Sequence, residues 1–287
     1  MRCLLPLRSF GDFVIDLYVA NNSNKLRVDT ILLPRYLVPL STYLANKSVS
    51  VAFLETEIEN KILSLFTRKH LLSVNTFSEL KSLKKEISGR FPEIGFYLEE
   101  YAWRNNFLKL LINNKLYYPS GRQLNVYESR WNLLSDDEYR NLEIGSKTIS
   151  TVTIFPDSRL KAKEISGENL SKLVRVLRSN KLNVRISVFG KNVSHGRYSD
   201  FNRECEVLTY DEFAKLESYI RGSDFIFSSD SMPLHFANLL SVSHFGIYND
   251  RINYRWLTPY CKDKSAFCIS GDFGKVLRTI NEHCCVG

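Results

Sequence analysis

The stretch TVTIFPDSRLKAKEISGENLSKLVRVLRSNKLNVRISVFG, residues 151–190, decides the fold class. Thr151 to Phe155 predicts a strand halted by Pro156. Leu170, Leu173, Val174 and Leu177 then recur at i, i+3, i+4 and i+7, the apolar stripe of an amphipathic helix. Val184 to Phe189, rich in β-branched residues and closed by Gly190, predicts the next strand. A strand, a helix and a strand in this order is the unit of a parallel sheet. The same alternation continues toward the C-terminus. Thr209 with Glu212 suggests a capping box opening a helix that ends at Gly222, just before the apolar strand Phe225 to Phe227. A helix over Pro233 to Leu240, apolar runs at Phe245 to Tyr248 and Ala266 to Ile269, and a closing helix around Val276 to Ile280 complete the pattern.

Toward the N-terminus the signals are shorter. Residues 2 to 7 predict a strand, Gly11 and Asp12 a turn, and the apolar run Phe13 to Ala20 a buried helix. Val28 to Leu33 and Val49 to Leu54 predict two further strands. From Glu59 to Asn113 the pattern is helical, with Phe77, Leu80, Leu83 and Ile87, then Phe107, Leu108, Leu111 and Ile112, on plausible faces. Residues 114 to 148 show no sustained period and are the candidate linker. No repeat or low-complexity tract interrupts the chain. The expectation is an α/β protein of two Rossmann-like lobes, 1–145 and 146–287, with a cleft between them and the last helix packing back on the first lobe.

Composition narrows the classes. With 287 residues and 44% apolar content the chain can bury a sizeable core, so disorder is excluded. A formal charge of +8 implies an anionic partner, which leaves nucleic acid, an anionic membrane surface or phosphorylated small molecules open. No helix-turn-helix, zinc-finger or RNP-like pattern accompanies the charge, so nucleic acid ranks last. Pro6 and Arg8 break the first apolar run, which argues against a signal peptide, and no stretch nears the roughly 18 apolar residues of a membrane span. A cytoplasmic location is expected. The six cysteines have no CxxC spacing and read as reduced thiols, with His283, Cys284 and Cys285 read as a frayed helix end rather than a metal site. GxxxxGK[ST], GxGxxG, HExxH and Asp-x-Asp are all missing, so metal-independent chemistry with no cofactor is expected.

In open parallel sheets ligands gather beyond the carboxyl ends of strands, so the turns that follow strands carry the information. Ser228 to His235 joins a buried strand to a helix with Pro233 in its opening turn. Free amides and the positive dipole end there suit a phosphate, Ser231 can donate, and His235 can face the same ligand. Equally, Asp230 or Ser231 could simply cap the helix and His235 be a packed, hydrogen-bonded side chain. Arg159, Lys161 and Lys163 follow another strand and could neutralise a diphosphate leaving group, or form a solvated basic loop. Asp12 beside Gly11 could take a proton from an attacking hydroxyl, with the backbone at Gly11 open to a substrate, or could be an ordinary helix-capping aspartate.

Taken together, these turns resemble the heptosyltransferase-like bacterial glycosyltransferases of family nine, which have the two-lobed GT-B fold. RCLLPLRSFGDFV, residues 2–14, is similar to that family's strand, Gly-Asp turn and buried helix, and the resemblance makes Asp12 the general base. FPDSRLKAKEIS, residues 155–166, is similar to the segment whose lysine meets the donor phosphate, which puts Lys163, with Arg159 nearby, on the donor. SDFIFSSDSMPLHFANLLSV, residues 223–242, resembles the signature Asp-Ser-Gly-Pro-x-His-x-Ala, matched by Asp230, Ser231, Pro233, His235 and Ala237. WLTPY at Trp256 to Tyr260 is also similar. Met232 stands where the family has Gly, Ser166 where it has Pro, and Asn249 where it has Gly. No likeness is seen between about 35 and 140.

The resemblance implies an inverting, metal-independent transfer of heptose or a related sugar from an ADP-heptose-like donor to a hydroxyl of lipopolysaccharide, O-antigen or capsule. It would act in the cytoplasm, with the basic N-terminal segment resting on the anionic inner face of the plasma membrane. A transferase of another group, such as pyruvyl, and a catalytically silent nucleotide-sugar-binding protein remain as alternatives.

Overall fold

The computed structural model describes residues 2–6, 9–54, 81, 85, 95–98, 116–117, 125–139, 148–190, 198–249, 254–264, 267–269 and 271–283. The chain forms two compact units. The first comprises Met1–Leu124 and Glu128–Tyr139, the second Asn125–Tyr127 and Arg140–Gly287.

Unit 1 holds a parallel sheet of β1 (Arg2–Leu5), β2 (Thr30–Leu33), β3 (Ser50–Phe53), β4 (Gly95–Leu98) and β5 (Leu116–Tyr117), in the order β3-β2-β1-β4-β5. Helix α1 (Phe10–Asn22) follows β1 and is buried from Asp12 to Ala20. It starts earlier than its apolar run. Ser9 caps it and Asp12 closes a capping box, so Gly11 and Asp12 lie in the first helical turn and not in a loop before it. Two further expectations are corrected in this half of the chain. Gly95–Leu98, inside the stretch read as helical, is a strand, because its pairing with the whole of β1 outweighs a weak local period. The expected linker contains β5 and helix α2 (Val126–Leu134). Buried residues lie all round α2, among them Tyr127, Arg130, Trp131 and Leu134, so it shows no apolar stripe to read. Phe77, Leu80, Leu83, Ile87, Phe107, Leu108, Leu111 and Ile112 lie outside the described residues, as do Arg8, Cys284 and Cys285.

Unit 2 holds β6 (Thr151–Phe155), β7 (Asn183–Phe189), β8 (Glu206–Tyr210), β9 (Phe225–Ser229), β10 (His244–Tyr248) and β11 (Phe267–Ile269). All pairs are parallel, and the order is β11-β10-β9-β6-β7-β8. Counted from β6, this is the 3-2-1-4-5-6 order of a doubly wound nucleotide-binding sheet. Strands β9 and β10 are buried throughout, as expected of central parallel strands covered on both faces.

Helix α3 (Gly167–Ser179) crosses from β6 to β7, its stripe Leu170, Leu173, Val174 and Leu177 wholly buried. Each such side chain contributes roughly 1.5–3 kcal/mol by leaving water. Ser166, where the resemblance expects Pro, is its N-cap and accepts from Asn169 N. Helix α4 (Phe213–Arg221) begins after Glu212 with no side-chain cap. The expected Thr209–Glu212 capping box does not form, because β-branched Thr209 extends β8 and pairs with Val188. Helices α5 (Met232–Leu239), α6 (Pro259–Lys264) and α7 (Phe273–His283) follow the last three strands or their connections. A Cβ on Gly246 of β10 would come within 2.8 Å of the Tyr248 ring and 3.3 Å of Leu234 of α5, so a side chain there would displace the tyrosine. Among the described residues, no helix is long and apolar enough to cross a membrane.

Candidate functional site

The winding of the unit 2 sheet reverses between β6 and β9. At such a switch point the connections leave to opposite faces and open a crevice beyond the strand ends. Register brings the two ends level, since Ile154 pairs with Phe227 and Phe155 with Ser228. Ser229 Oγ then donates to Asp157 O at 2.8 Å and ties the two turns together.

Across this junction Lys163 Nζ meets Asp230 Oδ2 at 2.6 Å. Lys163 sits at the end of a short 3-10 turn, Lys161–Lys163, and its side chain is 37% exposed against 9% for Asp230. A half-exposed pair adds at most about 1 kcal/mol of stability. Its weight lies in holding a solvent-facing cation over a buried carboxylate. The ammonium also lies 5.8 Å from the centre of the Trp256 ring, and the Arg255 guanidinium 5.5 Å from it. Arg159 is exposed on the same turn-forming segment.

The mouth of α5 follows Asp230 directly. Ser231 stands at the N-cap, but its side chain makes no capping bond to the first turn and donates instead to Ser229 O at 3.3 Å. Of the two readings the sequence left open for Ser231, a side-chain cap does not form: its hydroxyl is turned to the serine cluster with Ser228 and Ser229. Met232 occupies the first helical position and is half-buried, outside the left-handed region of backbone space. The backbone thus does not require the glycine that the resemblance expects there. Pro233 follows within the first turn and is buried.

His235 is also buried, and its Nδ1 lies 3.0 Å from Tyr127 Oη, the two rings 5.8 Å apart. Tyr127 is itself anchored, because Asn125 accepts from Tyr127 N and donates to Leu257 O. Beyond β6, Tyr198 donates to a carboxylate oxygen of buried Asp157. None of Tyr127, Asp157 or Tyr198 was legible as a site residue, since each lies where the sequence shows only local pattern.

Unit 1 has a switch point of its own, between β1 and β4, and the segment after β1 leads to Asp12. Asp12 is buried at 7% exposure, and its Oδ2 accepts from Ser9 Oγ at 2.7 Å and Ser9 N at 3.3 Å. Gly11 beside it is half-buried. One turn further along α1, Asp16 lies 3.5 Å from Arg130 Nε of α2, an ion pair with both partners fully buried. Among the described residues, no three His, Cys, Asp or Glu side chains gather as a metal-binding group.

No family model matches the chain, and no curated protein does. Solved structures do. The chain is similar to the Escherichia coli heptosyltransferase WaaC with ADP, at 12% identity and a TM-score of 0.66, over 99% of this chain and 100% of that one. It is similar to E. coli ADP-heptose lps heptosyltransferase II at 15% identity and a TM-score of 0.64, over 99% of each chain. It is also similar to a glycosyl transferase of family 9 from Veillonella parvula, at 13% identity and a TM-score of 0.63, over 98% of this chain and 89% of that one. At these identities the likeness is one of fold, and the fold is that of GT-B glycosyltransferases, the group to which the sequence resemblance points.

Proposed function

We propose that the chain is an inverting glycosyltransferase that takes a sugar, heptose or a close relative, from a nucleotide diphosphate sugar of the ADP-heptose type. The observation that carries this reading is the Lys163–Asp230 pair at the β6–β9 switch point, set beside the mouth of α5, where no side chain caps the first turn. A diphosphate held there meets an ammonium, a helix dipole and the hydroxyl of Ser231, the groups that stabilise negative charge as a leaving group departs. Arg159, exposed on the segment that leads to Lys163, adds positive charge, and Met232, Pro233 and His235 belong to the opening turns of the helix that would receive the diphosphate.

The acceptor is a hydroxyl of lipopolysaccharide core, O-antigen or capsule, handled by unit 1. Its oxygen attacks the anomeric carbon, the bond from that carbon to the diphosphate oxygen breaks, and the diphosphate leaves with the electron pair. The hydroxyl proton passes to the Asp12 carboxylate, next to Gly11. Attack opposite the leaving group inverts the configuration. Transfer of this kind needs no metal or cofactor when cationic and amide donors meet the diphosphate. The protein works in the cytoplasm, and the basic N-terminal segment favours the anionic inner face of the plasma membrane.

A second reading, a nucleotide-sugar-binding protein without transfer, is favoured by Met232 in place of Gly. One experiment separates the two. ADP, GDP, UDP and ADP-heptose are screened for thermal stabilisation and then for transfer to deacylated lipopolysaccharide core. A ligand at 100 times its Kd adds about 2.7 kcal/mol to stability. Stabilisation with transfer supports the enzyme, and stabilisation without transfer supports the silent binder. No stabilisation by any of the four removes both.

A further inference from the structure

We infer that Asn249 is a positioning residue that fixes Lys163 for the diphosphate, an inference that rests on the donor-site reading above. Asn249 directly follows β10, far from Lys163 in sequence. Its amide nitrogen donates to Ala162 O at 2.7 Å and also to Glu164 O, the two carbonyls that flank Lys163. An amide group has two N–H donors, and both are spent on this one turn. The opposite orientation would aim the amide oxygen at two carbonyl oxygens, so the neighbours dictate which atom is nitrogen.

The clamp acts on a segment with little rigidity of its own. The 3-10 turn has three residues, closed by Lys163 N to Leu160 O at 2.8 Å and Glu164 N to Lys161 O at 3.2 Å. Ile165 N to Pro156 O at 3.0 Å closes the wider loop. A lysine side chain carries considerable rotamer freedom, so where its ammonium arrives depends on where its Cα is held. Asn249 holds the backbone on both sides of that Cα, and Asp230 receives the other end of the side chain. The ends of β6, β9 and β10 are thereby joined through one lysine. The resemblance expects glycine at position 249, which has no amide to offer, so the clamp is a feature of this chain's own residues.

Binding of ADP and of inorganic pyrophosphate is measured by calorimetry for the wild type, Asn249→Ala, Asn249→Asp, Lys163→Ala and the double variant Asn249→Ala/Lys163→Ala, with melting temperatures alongside. Asn249→Ala weakens binding about five- to tenfold, a misplacement effect. Asn249→Asp weakens it further, because a carboxylate faces two carbonyl oxygens. The double variant binds no worse than Lys163→Ala alone, since Asn249 acts through the lysine. Unchanged binding in both Asn249 variants while Lys163→Ala is weakened overturns the clamp and leaves the donor site standing. Independent, multiplying losses in the double variant also overturn it, as a merely structural role would give them. If Asn249→Ala does not fold, Asn249→Ser, which keeps one donor, takes its place with the same outcomes. Undiminished binding by Lys163→Ala, or no binding by the wild type, strikes the donor-site reading and this inference with it.

Discussion

Tyr127 Oη lies 3.0 Å from His235 Nδ1, the two residues 108 positions apart in sequence and both buried. The hydroxyl fixes the rotation of the imidazole about its ring, and so the direction of the opposite nitrogen, Nε2. Tyr127→Phe keeps the ring and removes that bond, which costs about 1 kcal/mol of stability. Under the proposed function it also weakens ADP binding by about three- to tenfold, the worth of one misdirected hydrogen bond. Titration calorimetry on Tyr127→Phe, His235→Ala and the pair checks this. A double variant weaker than His235→Ala alone would show that Tyr127 acts on something else.

Asp12→Asn isolates basicity from architecture. The asparagine oxygen can still accept from Ser9 Oγ and Ser9 N, so α1 keeps its capping box. Only the ability to take a proton is lost. With an identified acceptor, transfer should fall by about 10²- to 10⁴-fold while ADP affinity stays within about twofold of wild type. Full transfer by the variant would exclude Asp12 as the base.

Asp16 and Arg130 neutralise one another inside unit 1, with 0% and 1% of the two side chains exposed. Removing one partner strands a buried charge. Arg130→Met should therefore cost about 3–5 kcal/mol in urea denaturation, while Asp16→Leu/Arg130→Met recovers most of it. A double variant as unstable as the single one would mean that packing by Arg130, not its charge, is what α1 needs.

The sequence could reveal the elements with one buried face and hid those with two. Leu170, Leu173, Val174 and Leu177 sit on a helix with a wet side, so their spacing is visible in residues alone. Around α2 buried Tyr127, Arg130 and Trp131 point in different directions, and a polar Arg130 at 1% exposure runs against any hydrophobicity reading. Its partner Asp16 lies in another helix, and such pairing is invisible until the fold is known. At the candidate site, the place of Asp230, Ser231 and Pro233 between β9 and α5 was legible because strand, turn and helix follow one another directly. Asn249 offered only a departure from a pattern, since the backbone carbonyls it holds have no signature of their own. Thr209 misled because a cap and a strand end use the same β-branched hydroxyl residue.

The last prediction concerns acid. His244 opens β10 fully buried, its Nδ1 2.8 Å from Val242 O and its Nε2 2.7 Å from Thr258 Oγ1. A carbonyl only accepts, so Nδ1 carries the proton and Nε2 accepts from the threonine hydroxyl, which in turn accepts from Cys261 N at 3.2 Å. Burial pushes the imidazole down to about 4 from its ordinary 6.5. Below pH 6.5 the unfolded chain takes up a proton that the folded chain refuses until about pH 4, so the unfolded state gains as pH falls through that window. Above pH 6.5 the histidine exerts no such penalty. Between pH 7 and pH 4.5 the loss attributable to His244 is about 2–3 kcal/mol. His244→Gln, which does not titrate, should be less stable than the wild type at pH 7, and that gap should narrow by about 2 kcal/mol at pH 4.5. Paired denaturation curves at the two values decide it. A gap of the same size at both would mean that His244 is not the group through which acid loosens unit 2.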